Sequence, residues 1–275
     1  MKFNKVLIVL VFTTLGLQSC GPKQFYEMTP TGLEYYFFDK NKEGKMGQVG
    51  DIYNINVTAT TRRDSLLFNE HAMFKRNASI YPGDFHEGLS MLHVGDSVGF
   101  ILNVDSFFGM HNLTIPKGLE NDSMFKLLIG VENILNPLDH LIYKSEQELV
   151  KMKEYVAKNG WNVQSDTTGI MYEVVEEGTS DEYFQLGDSA NLSYVYSTLD
   201  GRIIEKTRTN DVWKFEIGGL QTNVFGLSRL LTLMKHGQKV RAIIPFAEAF
   251  GEDGYGPMIP PYTTLVLELK ADIAE

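Results

Sequence analysis

Between Thr264 and Ala271, Leu265, Leu267 and Leu269 alternate with Thr264, Val266, Glu268 and Lys270. A period of two sends successive side chains to opposite faces, so this segment is expected to be a strand. Ala190 to Thr198 has the same extended character, and Leu33 to Phe38 and Ile170 to Val175 are shorter strand-like runs. The spacing changes at Leu227, Leu230, Leu231 and Met234, which fall at i, i+3, i+4 and i+7 and share one helix face. Phe85, Leu89 and Leu92 do the same earlier in the chain. The expected class is α+β, with antiparallel sheets that each wrap around a short helix.

Several landmarks occur twice in the same order. Gly32 and Gly50 bracket one strand-like run and Gly169 and Gly187 bracket another, each pair closing on Gly-Asp. Asp64-Ser65 and Asp200-Gly201 mark a polar turn after a second extended run. Glu87 to Gly95 parallels Arg229 to Gly237, and Phe108-Gly109 and Phe250-Gly251 follow at equal distance. The offset drifts from 137 to 142 positions, the signature of a tandem duplication with an insertion or deletion in a surface loop. The expected domains are residues 32–136 and 165–275. Between them, at 137–164, Ser145-Glu146-Gln147-Glu148 matches a capping box, which predicts a helix starting at Ser145. Leu149, Met152 and Val156, with Tyr155 alongside, give it an apolar stripe, and Asn159-Gly160 supplies a stop.

Composition narrows the function. A formal charge of −10 over 275 residues repels a phosphate backbone, so nucleic acid is not an expected partner. Lys2 and Lys5 precede an apolar run from Val6 to Leu17, the pattern of a secretory signal over residues 1–19. At 1.5 Å per residue the run is too short to cross a bilayer core of about 30 Å. Leu17-Gln18-Ser19-Cys20 resembles the lipobox of bacterial lipoproteins, and Cys20 is the chain's one cysteine. The expectation is acylation at Cys20, residues 20–31 as a tether, and membrane attachment through the lipid anchor. Cys20-Gly21-Pro22 carries no acidic run, which favours an outer-membrane anchor facing the periplasm. The six histidines form no i, i+4 pair, so neither a metal nor another cofactor is expected.

The C-terminal copy supplies Tyr194 six residues before Asp200-Gly201, then Trp213-Lys214-Phe215-Glu216-Ile217-Gly218. Met234-Lys235-His236-Gly237, Phe250-Gly251 and Met258-Ile259-Pro260-Pro261 follow in order. Over about 100 residues this resembles the FKBP family of peptidyl-prolyl cis-trans isomerases. The resemblance implies proline-containing polypeptide clients and a catalytic set of Tyr194, Glu205 and Phe250. It further implies substrate contacts from Ile204, Trp213, Val224, Leu227, Tyr255, Ile259 and Leu267, with the Val224 N–H holding a carbonyl. Three positions depart from the family: Glu205 replaces an aspartate, Leu227 a tryptophan and Phe250 a tyrosine, the last removing a hydroxyl. In the N-terminal copy Thr58 is matched to Tyr194 and Ile115-Pro116-Lys117 has a single proline. Phe68, Asn69, Phe85 and Phe108 suggest an apolar hollow there, and that copy is expected to be non-catalytic. Two functions stay open on these residues: isomerisation in the cell envelope, or peptide binding without turnover.

Overall fold

The computed structural model describes residues 25–208, 211–219 and 224–274. The signal segment and Cys20 lie outside the described residues. The chain divides into two units between Leu138 and Asp139.

The N-terminal unit is a six-stranded antiparallel sheet made of β1 (Glu27–Met28), β2 (Glu34–Asp39), β3 (Ile52–Thr61), β4 (Leu66–Lys75), β5 (Ser97–Asn103) and β6 (Met124–Leu135). Its order is β1-β2-β5-β6-β3-β4. Along β3, Tyr53, Ile55, Val57 and Ala59 are buried at alternate positions, the period-two pattern of a strand with one face on a core. That core is closed by α1 (Phe85–Leu89) and α2 (Val104–Met110), which contribute Phe85, Leu89, Phe107 and Phe108. The Asp84 side chain accepts the Glu87 N–H at 2.7 Å and caps α1.

The second unit holds all but the first two residues of α3 (Pro137–Asn159), followed by β7 (Gln164–Ser165), β8 (Met171–Glu176), β9 (Ser189–Thr198), β10 (Ile203–Lys206), β11 (Trp213–Glu216), β12 (Lys239–Ile244) and β13 (Leu265–Ile273). The path β7-β8-β12-β13-β9-β10, with β11 also on β9, repeats the order of the first sheet. The helix α4 (Phe225–Thr232) turns Leu227, Leu230 and Leu231 into the core. It approaches the sheet closely at Gly226, where a Cβ would lie 2.7 Å from the Ile244 Cγ2 and 3.0 Å from the Glu248 carbonyl oxygen. Any larger residue there would push the helix off the sheet.

Three readings of the sequence are corrected here. The linker helix starts at Pro137, not Ser145. A proline at the first helical position gives up no hydrogen bond, and Ser145 is interior. Glu148, free of capping duty, is 8% exposed and accepts the Phe246 N–H at 2.7 Å and the Thr264 hydroxyl at 2.6 Å. Leu149 is exposed, and the buried stripe is Met152 with Tyr155 and Val156, packed on Met171, Ile243, Trp161 and Val163. The stop is as expected, with Gly160 at φ +64°. Finally, the residue in register with Tyr194 is Val57, not Thr58. Ile52 pairs with Lys75 as Ser189 pairs with Glu216, and counting five along each strand reaches Val57 and Tyr194. A shift of one position would send the side chain to the opposite face.

Glu148 generates a prediction. Burial raises the pKa of its carboxyl above the ordinary value, against the opposing effect of its two donors. Because the folded pKa lies above the unfolded one, the stability it contributes is present in acid and declines as pH rises through the folded value. Glu148→Gln keeps the acceptor without the charge. It is expected to match wild type at pH 4 and exceed it at pH 7 in urea unfolding, whereas Glu148→Leu strands two buried donors at a cost of about 2–4 kcal/mol.

Candidate functional site

The two sheets differ most in the strand beside β3 and β9. In the N-terminal unit β4 runs unbroken for 10 residues and pairs with β3 from Ile52↔Lys75 to Thr60↔Leu66. The equivalent partners of β9 are Glu216 for Ser189 and Ile203 for Ser197, so 14 positions cover the span that 10 cover in β4. The additional residues interrupt the pairing between β10 and β11, and the offset between copies changes there. This break lies within strand pairing, where the sequence suggested a surface loop.

Thr207 fixes the start of the break. Its N–H donates to the Tyr194 carbonyl at 3.0 Å, and its hydroxyl oxygen accepts the Tyr194 N–H at 3.0 Å. Pairing with β9 resumes at Trp213, opposite Leu192. A cavity of about 580 Å³ opens beside this break. Its walls include Tyr194 and Tyr196 from β9, Ile204 and Glu205 from β10, Trp213 from β11, and Val224 at the head of α4.

The last wall comes from the loop between the helical turn Phe246–Glu248 and β13, which contributes Phe250, Tyr255, Met258 and Ile259. Tyr255 and Ile259 exchange backbone hydrogen bonds of 2.7 and 3.2 Å. That reversal requires Gly254 at φ +68°, where a Cβ would sit 2.2 Å from the Ile259 carbonyl oxygen. The Arg202 guanidinium donates to the Met258 carbonyl at 2.9 Å, tying the turn after β9 to the loop.

Eight of the ten catalytic or substrate-contacting positions named from the sequence line this cavity: Tyr194, Glu205, Phe250, Ile204, Trp213, Val224, Tyr255 and Ile259. Leu227 and Leu267 do not. They are 1% and 0% exposed core residues, because Leu227 sits on the buried face of α4 and Leu267 on the inward face of β13. Sequence reasoning missed Tyr196, although its position two residues after Tyr194 on a strand puts both on one face. It also missed Thr207 and Val212 in the break, whose place depends on an interruption that no local pattern marks.

Five of the sixteen lining residues are aromatic: Tyr194, Tyr196, Trp213, Phe250 and Tyr255. Trp213 stands edge-on to Tyr194 with ring centroids 5.7 Å apart, and Phe250 lies 5.6 Å from Tyr255. One polar pair crosses the site: the Tyr194 hydroxyl donates to Glu205 Oε1 at 2.9 Å. Burial, then the hydrogen bond and charge of Glu205, push the Tyr194 phenol up to about 12. Tyr194 therefore stays protonated at neutral pH and orients Glu205. The arrangement can take an apolar ring out of water against aromatic side chains, with the Tyr194–Glu205 pair beside it.

Fold and site thus define an α+β domain with an aromatic binding cavity beside a broken strand pairing. Residues 180–271 match the family model described as FKBP-type peptidyl-prolyl cis-trans isomerase. The peptidyl-prolyl cis-trans isomerase FKBP11 of Bos taurus is 39% identical over 84 residues, covering 30% of this chain and 41% of that protein. The FKBP-type 22 kDa peptidyl-prolyl cis-trans isomerase of Escherichia coli is 29% identical over 120 residues, covering 43% and 55%. The match spans about half the length of these curated relatives. Among solved structures, FkpA from Escherichia coli aligns with a TM-score of 0.40 and 28% identity over 48% of this chain and 62% of that one. Over residues 180–271 the C-terminal unit is thus similar to the FKBP-type peptidyl-prolyl cis-trans isomerases.

The Tyr194–Glu205 pair is open to direct test. Glu205→Gln removes the charge but leaves an acceptor, so the Tyr194 phenol is expected to titrate below about 12 while staying above the ordinary 10, since burial remains. The readout is the difference in phenolate absorbance between wild type and variant in an alkaline titration. An unchanged difference curve would mean that Glu205 does not act on Tyr194.

Proposed function

We propose that the C-terminal unit catalyses cis–trans isomerisation of X-Pro bonds in polypeptide clients, on a chain held at the cell envelope through a lipid on Cys20. The supporting observation is the cavity in which Tyr194, Trp213 and Phe250 present aromatic rings beside the Tyr194–Glu205 pair. Rotation about an X-Pro bond breaks no covalent bond, and its barrier of about 18–20 kcal/mol comes from amide resonance. In the twisted state that resonance is lost and charge separation in the amide falls. An aromatic pocket that excludes water therefore favours the twisted state over either planar isomer. Trp213 and Tyr194 hold the prolyl ring, Ile204 and Ile259 pack beside it, and the Val224 N–H anchors a client carbonyl. Neither a nucleophile nor a metal enters this scheme.

The exposed apolar side chains Ile203, Val212, Tyr255 and Met258 supply an apolar surface for residues flanking the proline. A second reading, client binding without turnover, draws on the N-terminal unit. There a cavity of about 330 Å³ is lined by Val57, Phe68, Phe74 and Phe107. By strand register, Val57, Ala59 and Ala72 stand where Tyr194, Tyr196 and Trp213 stand in the second unit. This cavity is left with apolar walls suited to holding a side chain.

Proline-limited refolding of a test protein, followed with the full chain, separates the readings. Acceleration in proportion to added chain, reduced about 10-fold or more by Trp213→Ala, is the expected result. A tenfold change corresponds to about 1.4 kcal/mol of barrier. Unaltered refolding together with suppressed aggregation would instead establish the binding role.

A further inference from the structure

β9 presents a second phenol to the cavity. Tyr196 lines it, is 7% exposed, and its hydroxyl has no hydrogen-bond partner among the described residues. Its ring lies 5.2 Å from that of Tyr194. Buried polar groups in folded proteins are nearly always paired, because leaving one unpaired costs folding free energy. Burial also pushes the Tyr196 phenol far above its ordinary pKa, so the group is a donor at any physiological pH.

The fold itself does not require a phenol at this position. Ala59 occupies the same register in the N-terminal unit, opposite Leu127 as Tyr196 is opposite Leu267, and it is 0% exposed. The neighbouring cavity groups leave a role open. The Tyr194 hydroxyl is committed to Glu205, and Phe250 has no hydroxyl. A peptide that pushes its proline between aromatic walls must also strip water from adjacent carbonyl oxygens, a cost that a donor inside the site offsets. The Tyr196 ring lines the cavity but its hydroxyl is closed to a water-sized group in the free protein, so a carbonyl entering with the ligand reaches it by a small displacement of the ring.

We propose that the Tyr196 hydroxyl donates a hydrogen bond to a backbone carbonyl oxygen of the bound proline-containing segment. This rests on the isomerase reading of the cavity and adds to it a residue that selects a peptide over a purely apolar ligand. A binding interaction that is absent from the free protein has an unusual signature on removal: the free protein gains stability while the complex weakens.

The test compares Tyr196→Phe with wild type, both as the full chain, in three measurements: kcat/KM on an X-Pro tetrapeptide, Kd for a non-isomerising proline peptide, and thermal unfolding without ligand. The expected result is a fall of about 3- to 10-fold in kcat/KM, a matching weakening of Kd, and a melting temperature at or above that of wild type. Unchanged kcat/KM and Kd would overturn the proposal. So would losses accompanied by a lower melting temperature, which would make Tyr196 a structural residue. If wild type itself neither turns over nor binds the peptide, the isomerase reading fails, and the proposal with it.

Discussion

A central strand needs hydrogen-bond partners on both sides, and β9 has a complete set on only one. β13 pairs with it over nine positions, from Leu265↔Thr198 to Ile273↔Ala190. On the other side its strand partners come in two pieces, Ile203–Lys206 and Trp213–Glu216. The cavity exists because of that gap. Thr207 fixes where the gap begins by two hydrogen bonds to the Tyr194 backbone, and Trp213 closes it opposite Leu192. Alternation along β9 then turns Tyr194 and Tyr196 toward the same face, and Glu205 on β10 comes within reach of the Tyr194 hydroxyl.

The N-terminal unit shows what the same sheet order gives without the gap. β4 pairs continuously with β3, apart from one irregularity near Ala59, and the positions in register with the two tyrosines and the tryptophan are Val57, Ala59 and Ala72. Phe68 takes the register of Glu205, so the phenol–carboxylate pair has no counterpart. The two units share one strand order and differ by four residues in one strand and in a few side chains. The N-terminal cavity keeps aromatic walls, from Phe68, Phe74, Phe85, Phe107 and Phe108, but draws them from other positions and has no tyrosine or tryptophan among them.

Features that depend on local pattern were legible in the sequence. The alternation at Leu265–Leu269, the helical spacing at Leu227–Met234 and the glycines at the paired turns fall into this group, while half of the sixteen cavity-lining residues were legible through the family resemblance. What stayed hidden depends on long-range partners. Ser145 and Glu148 read as a helix cap because residue types cannot reveal that Phe246 and Thr264 would claim the Glu148 carboxylate. Leu227 and Leu267 are apolar in a cavity wall or in a core, and only the packing assigns them to the core. Thr58 was matched to Tyr194 by counting across turns, but backbone pairing selects Val57, one residue and one sheet face away. Nothing local marks Tyr196, whose buried, unpaired hydroxyl is a product of packing.

The central claim is that the broken pairing in the C-terminal unit creates a site where X-Pro bonds rotate, and that the unbroken sheet of the N-terminal unit does not. NMR exchange spectroscopy of an X-Pro peptide in the presence of labelled full chain tests both halves at once. The account predicts accelerated exchange between the cis and trans proline signals, with amide shifts concentrated at 194–213 and 250–259. Exchange that stays at the uncatalysed rate, or shifts that centre on 55–74 and 107–127, would contradict it.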